Sequence, residues 1–303
     1  MSLISMFGFK YRFATFGTTF VLLFTFCQAM PQPNSTKIVS DKSLFSNYLK
    51  RDVILDVILP PNYNTSTQCY KVLLMNDGQD SGQLKMVSIL NKMYQSHKIE
   101  PIVIVAVHCG DRMQEYGAAA QADYKGRGAK AGQYTQFILT ELLPHITKNY
   151  RTLTGKDNTV FCGFSLGGLS AFDIVWHNPE YFGKIGAFSA SFWWRQKAYE
   201  NQYSDEVDRI MHNLVRNVDN FGDSRKNLKF WIQTGTADEK DDRNKNGIID
   251  SIDDATDLIT ELEKKGFQRQ RDIRYVEVVG GQHNQQTWSA IMPDFLEWAF
   301  ASQ

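Results

Sequence analysis

Apolar residues are bunched along this chain in short, nearly unbroken runs, separated by stretches with helical spacing. Runs at 51–60, 70–76, 101–109 (PIVIVAVHC), 158–163, 228–234 and 273–279 each have the length of a strand. A run that is apolar at consecutive positions describes a strand covered on both faces, the mark of a largely parallel sheet between helices. Segments at 132–148, 166–176, 205–216, 255–265 and 286–300 repeat their apolar residues every three to four positions and predict helices. The alternation contains no internal repeat or low-complexity tract, so it predicts one α/β domain over residues 44–303. The stretch 193–225 fits the alternation least and is expected to form a cap or a pocket wall.

The N-terminal pattern differs. Lys10 and Arg12 precede an uncharged apolar run, 13–27, that is shorter than the roughly 20 residues a membrane span needs. Cys27-Gln28-Ala29 sets small residues where a signal peptidase reads. Residues 1–29 are therefore expected to be a cleaved signal peptide, with an uncleaved anchor as the alternative, and 30–43, with Pro31, Pro33, Asn34, Ser35 and Thr36, a linker. The expected location is secreted or periplasmic, with no stable membrane span after cleavage. Of four cysteines, Cys69, Cys109 and Cys162 would remain, an odd number that fits core packing better than a redox or metal site.

Composition narrows the class. The chain has 303 residues, 43% hydrophobic, with 33 basic and 33 acidic side chains. Such a balance excludes a disordered tail, a collagen-like repeat or a small disulfide scaffold. Zero formal charge also removes the basic surface on which sequence-independent nucleic-acid binding depends.

The strongest chemical signal is Gly163-Phe164-Ser165-Leu166-Gly167-Gly168, between an apolar strand run and a helix pattern. A serine on a sharp strand-to-helix turn needs minimal side chains two residues to either side. The helix that follows aims its free N–H groups and positive dipole end at the same point. Ser165 is the candidate nucleophile.

A serine needs a base. Among six histidines, His283 follows the last strand run and can reach Ser165 from a loop at the sheet edge; His108, closing an earlier strand, is the competitor. The acid that orients the histidine should fall between them in the chain. Asp238, just past the 228–234 run, fits, with Glu239, Asp241, Asp242 and Asp250 competing nearby. The backbone amides of Leu166 and of Gln79, in Asp77-Gly78-Gln79-Asp80, are the candidate oxyanion donors.

With these residues in view, the chain resembles the putative-esterase branch of the α/β-hydrolases, which holds feruloyl and acetylxylan esterases, enterochelin esterases, S-formylglutathione hydrolases and mycolyltransferases. The resemblance runs from about residue 50 to 300. Its carriers are Leu59-Pro60-Pro61-Asn62-Tyr63, Asp77-Gly78-Gln79, the serine motif, Gly235-Thr236-Ala237-Asp238 and Gly281-Gln282-His283-Asn284. Arg112-Met113-Gln114-Glu115-Tyr116-Gly117 and Phe192-Trp193-Trp194-Arg195 are also similar. It implies an α/β-hydrolase fold, a Ser165/Asp238/His283 triad, and Arg112, Trp193 and Trp194 lining or bracing the substrate pocket. The long acidic insertion after Asp238 departs from the shorter members.

That insertion fits a calcium-loop template. From Asp242 to Asp253, oxygen side chains stand at positions 1, 3, 5, 9 and 12, namely Asp242, Asn244, Asn246, Asp250 and Asp253. Gly247 is at position 6, and the carbonyl of Ile248 would supply position 7. The expectation is a structural Ca2+ with no part in the chemistry, against a polar turn held by Asx hydrogen bonds. Taken together the sequence points to an exported serine esterase, without a catalytic cofactor, acting on small-molecule or carbohydrate esters such as acyl or feruloyl esters. An acyltransferase with the same triad and an inactive carbohydrate-binding protein are the alternatives.

Overall fold

The apolar runs assemble into a single mixed sheet. In a computed structural model, residues 35–218 and 223–302 are described. The strands are β1 (Lys37–Ser46), β2 (Arg51–Leu59), β3 (Lys71–Asn76), β4 (Ile102–Val107), β5 (Thr159–Phe164), β6 (Lys184–Phe188), β7 (Lys229–Ala237) and β8 (Ile273–Gln282). They lie in the order β1-β2-β4-β3-β5-β6-β7-β8. β1 and β2 run antiparallel at one edge, and every pairing from β4 to β8 is parallel.

Two of these strands were not expected. The segment read as a linker, 30–43, enters the sheet at Lys37 as β1, bulged between Val39 and Lys42 and paired only with β2. β6 is only five residues long and contains a glycine, so it gives a weak apolar signal. The proposed signal, 1–29, lies outside the described residues.

Period-two alternation sends successive side chains to opposite faces of the sheet. Leu74, Val105, Phe161, Ile185 and Phe230 pack on one face, with Phe137, Phe172 and Trp176. Their sequence neighbours Leu73, Ile104, Val160 and Trp231 pack on the other, with Met86, Leu90, Met292 and Phe295. The main covering helices are α1 (Met86–Gln95), α2 (Leu166–His177), α3 (Asp250–Lys264) and α4 (Gln285–Phe300). α2 is buried along its whole length up to His177, which explains why it is apolar on all sides. The helix expected over 132–148 forms as Ala131–Gln136 and Leu143–Asn149, joined by a π-helical turn at Phe137–Leu142. That expected over 205–216 is divided into Asp205–Asp208 and Ile210–Arg216.

The fold matters for chemistry because parallel strands end together. Asp77, Ser165, Asp238 and His283 each stand one residue past the carboxyl ends of β3, β5, β7 and β8, the edge where open α/β sheets carry their ligands. The elbow rests on an aromatic layer: Phe172 contacts Phe192 and Phe230 at centroid distances of 5.3 and 5.6 Å. Phe172→Ala should therefore lower the unfolding free energy by about 3–5 kcal/mol, read from urea denaturation. A loss under about 1 kcal/mol would mean that this layer does not support the α2 side of the sheet.

Candidate active site

Ser165 caps α2 with φ 54° and ψ −122°, a conformation a non-glycine residue rarely adopts. The surrounding backbone holds it there. Its N–H donates to the Phe188 carbonyl at 2.9 Å, and its carbonyl accepts from Gly168, Leu169 and Ser191 at 3.0, 3.1 and 3.0 Å. The flanking glycines are required sterically. A Cβ at Gly163 would lie 2.2 Å from the Gly167 carbonyl oxygen, and one at Gly167 would lie 2.5 Å from Asp77 Oδ2. The recorded hydrogen-bond contact of Ser165 Oγ is Ser191 Oγ at 3.5 Å, a residue the sequence did not single out.

The loop after β3 is fastened to this elbow. Asp77 takes φ 58° and is buried. Arg112 grips its carboxylate with both Nε (2.8 Å) and Nη2 (3.0 Å), and the same Nη2 donates to the Phe164 carbonyl at 3.1 Å. A parallel link runs beneath: Tyr134 Oη donates to Asn76 Oδ1 at 2.6 Å, and Asn76 Nδ2 to the Gly167 carbonyl at 2.8 Å. The Asp77 N–H donates to Tyr116 Oη at 3.1 Å. These bonds leave the candidate oxyanion donors free. Among the described residues, neither the Gln79 amide nor the Leu166 amide has a hydrogen-bond acceptor. Gln79 belongs to a short 3-10 turn, Gly78–Asp80, and Leu166 opens α2.

The acid and base segments meet by a second close approach. Ala237 pairs with Gln282, and a Cβ at Gly235 would lie 2.3 Å from the Gly281 carbonyl oxygen. Asp238 Oδ2 accepts from the Gly235 N–H at 3.0 Å, while its Oδ1 is buried without a partner. The His283 imidazole stands edge-on to Trp288, centroids 5.3 Å apart, and Trp288 is anchored through Nε1 to Ser189 Oγ at 3.0 Å. Asn284 caps α4 by accepting from the Thr287 N–H at 3.0 Å. Desolvation lowers the His283 pKa below the ordinary imidazole value, Asp238 opposes the shift and Arg112 adds to it. His283 as a whole residue is exposed. No hydrogen bond joins His283 to Ser165 or to Asp238 among the described residues; catalytic hydrogen bonds are often long before substrate binds.

Three of the competing residues, His108, Asp242 and Asp250, are engaged elsewhere. His108 Nε2 contacts Asp56 Oδ2 at 3.0 Å. Asp242 accepts from the N–H groups of Asn246 and Gly247, and Asp250 from the N–H of Arg243. The pocket expectation for Arg112 and Trp194 changes. Arg112 is a brace between Asp77 and Phe164. Trp194 is fully buried, slotted between Gly117 and Gly128, where either added Cβ would come within 3.0 Å of its ring, so it offers no surface to a ligand. Trp193 is half-buried between the guanidinium groups of Arg127 and Arg195, at 5.0 and 5.8 Å. Cys162 is buried and Cys109 half-buried beside Gln79, but Cys69 is exposed rather than part of the core.

The Asp242–Asp253 loop folds as a polar turn. Gly247 takes φ 87°, and Asn244 Oδ1 and Asn246 Oδ1 accept from the N–H groups of Asn246 and Ile248. Asp253 Oδ2 accepts from the side-chain amides of Asn244 and Asn246, at 3.0 and 2.8 Å. Among the described residues, no group of three His, Cys, Asp or Glu side chains is arranged to hold a metal ion.

Three comparisons bear on this arrangement. The uncharacterized protein YbbA of Bacillus subtilis is 26% identical over 144 residues, which cover 46% of this chain and 57% of that protein. A ferulic acid esterase structure superimposes with a TM-score of 0.66 at 18% identity, covering 88% of this chain and 98% of that one. The enterobactin esterase FES from Shigella flexneri, with enterobactin, gives 0.67 at 19% identity, covering 88% and 60%. At such identities the structures establish the shared fold. The model of the family described as "Putative esterase" matches residues 46–299, from the last residue of β1 into the final turn of α4. This chain therefore belongs to that family and has its α/β-hydrolase fold.

Proposed function

We propose that the protein is an exported serine carboxylic-ester hydrolase acting on acyl or feruloyl esters of carbohydrates through Ser165, His283 and Asp238. The observation that carries the proposal is the strained Ser165 at the head of α2, with two unpartnered amides, Gln79 and Leu166, on adjoining strand ends. Backbone strain at one serine, maintained by glycine contacts that no larger residue tolerates, is the mark of a nucleophile held for attack. The feruloyl and enterobactin esterases of like fold support an ester as substrate. Export rests on the sequence pattern of residues 1–29.

In this reading Ser165 Oγ attacks the ester carbonyl while His283 takes its proton. The oxygen that gains charge accepts from the Gln79 and Leu166 N–H groups, which need no rearrangement because Arg112 and Asn76 already fix the two loops. His283 returns the proton to the departing alcohol. Water, deprotonated by His283, then attacks the acyl group on Ser165, and His283 returns that proton to Ser165 Oγ as the acid leaves. Asp238, through its free Oδ1, stabilises the imidazolium at each transfer. Every step uses protons and hydrogen bonds alone, so no cofactor is called for.

Ser165→Ala should lower kcat on p-nitrophenyl acetate or methyl ferulate by at least about 10^4-fold and abolish labelling by a fluorophosphonate probe. Equal labelling of the variant, or a folded wild type that resists the probe, would overturn the serine-hydrolase reading. The pH profile supplies a second check. His283 acts as a base only when neutral, so kcat/KM should rise with pH through a midpoint below about 6.5. Arg112→Gln removes a positive charge that lowers the His283 pKa and should move that midpoint upward. A midpoint that stays put in this variant would argue against His283 as the titrating base.

A structural calcium ion in the Asp242–Asp253 loop is a separate proposal. It is supported by the ligand spacing and by Gly247 at φ 87°, the sharp turn that such loops place at position six. Calcium should raise the thermal midpoint and a chelator lower it. Equal midpoints would leave the loop as the Asx-bonded turn seen in the structure.

A further inference from the structure

Two arginines among the described residues are buried, Arg195 and Arg209, and they differ in what they pair with. Arg209 is 4% exposed and pairs with Asp254 and Asp257 at 2.8 and 2.7 Å. Arg243 pairs with Asp205, Asp250 and Asp254. Arg195 is equally enclosed, at 9% exposure, and no carboxylate lies within ion-pair distance of it among the described residues. Aromatic rings surround it instead: its guanidinium centre is 3.7 Å from the Tyr199 ring and 4.9 Å from that of Tyr124. Its one recorded side-chain hydrogen bond is a long one, from Nη2 to Tyr124 Oη at 3.3 Å, and its Nε is buried with no acceptor.

Arg195 lines a cavity of about 240 Å³, together with Tyr124, Arg127, Trp193, Tyr199 and Glu239. Across that cavity Glu239 presents a second unfilled group, Oε1, buried without a hydrogen-bond partner, although Ser251 is close enough to favour its charged form. Burial and the nearby Asp250 push the Glu239 carboxyl pKa upward, so it takes up a proton more readily than a surface carboxylate. Two segments of the chain tie the cavity lining to the candidate active site. Trp193 is two residues beyond Ser191, whose hydroxyl is the neighbour of Ser165 Oγ, and Glu239 directly follows Asp238.

We propose that this cavity is the subsite for a neutral sugar ring of the ester substrate, with Arg195 and Glu239 reading its hydroxyls and Tyr124, Trp193 and Tyr199 covering its apolar face. The inference rests on the serine-esterase reading above and names what that site selects. A hydroxyl is both acceptor and donor, so neighbouring hydroxyls on one ring satisfy the Arg195 N–H and the Glu239 oxygen together. An aliphatic group would leave both unpaired, at the full cost of burying them. An anionic group would meet Glu239, Asp241 and Asp250, which line the same cavity. Aromatic walls with a few convergent polar groups are the general form of a small-molecule site.

The test uses the full chain and has two arms. In the first, methyl xyloside, methyl arabinofuranoside and methyl glucoside are titrated into Ser165→Ala protein, read by calorimetry and tryptophan fluorescence. Saturable binding of at least one glycoside is expected, weakened about tenfold or more by adding Arg195→Gln or Glu239→Gln. In the second, kcat/KM is measured for feruloyl-arabinofuranoside and for methyl ferulate, which share an acyl group. The ratio of the two should exceed one in the wild type and fall about tenfold in either variant. Absence of glycoside binding, or a binding constant and a ratio unmoved in both variants, overturns the subsite. If Arg195→Gln fails to fold, the Glu239→Gln pair decides. Failure of the esterase reading looks different: the wild type hydrolyses neither ester, or Ser165→Ala retains turnover, and the glycoside titration still judges the cavity.

Discussion

The site depends on one guanidinium. Arg112 holds the Asp77 carboxylate with two nitrogens and the Phe164 carbonyl with one of the same two. It thereby joins the end of β3, which carries Gln79, to the end of β5, which carries Ser165. Two amides can stabilise a developing oxyanion only if their separation is fixed before the charge appears. The pair is well suited to that work. Asp77 is buried, the bonds are charge-assisted and two-pronged, and the neighbouring Asn76–Gly167 bond prevents the strands from sliding. Breaking such a pair by removing one partner leaves a buried charge unmatched, so this brace serves geometry more than net stability.

The same economy of backbone space governs the other half of the site. β7 and β8 approach so closely at Gly235 and Gly281 that no side chain fits between them, and this contact brings Asp238 and His283 to one edge. Asp238 is held by the backbone amide of Gly235, inside its own strand, and His283 leans on Trp288, itself tied to Ser189 beyond β6. Ser165, the proposed nucleophile, is likewise held from a neighbouring strand, its N–H donating to the Phe188 carbonyl of β6. The groups meet because parallel strands all deliver their carboxyl ends to one side of the sheet.

Much of this was legible in order of appearance along the chain. Gly163-Phe164-Ser165-Leu166-Gly167 reads as an elbow; Gly163 answers a local demand, the Gly167 carbonyl 2.2 Å from a Cβ there, whereas Gly167 answers a tertiary one, Asp77 at 2.5 Å. β3, β4, β5 and β7 were visible because a strand buried on both faces has no polar positions to dilute its signal. β1 escaped notice because it is an edge strand with a polar, bulged sequence, KIVSDKSLFS, and β6 because five residues are too few to set a period. Arg112 and Trp194 were recognised as part of the site's surroundings, yet one proved to be a brace and the other a filler of the slot between Gly117 and Gly128.

What the sequence by itself determined is local: which residues turn, which are buried on two sides, and which serine stands where a strand becomes a helix. These follow from sterics and periodicity within a few residues. What only the tertiary structure decided is pairing. The choice of Asp77 for Arg112, of Asp254 for Arg209 and of the Tyr124 ring for Arg195 involves residues tens of positions apart. Ion pairing falls off steeply with separation in space and is indifferent to separation along the chain, so no pattern of neighbours could have revealed it.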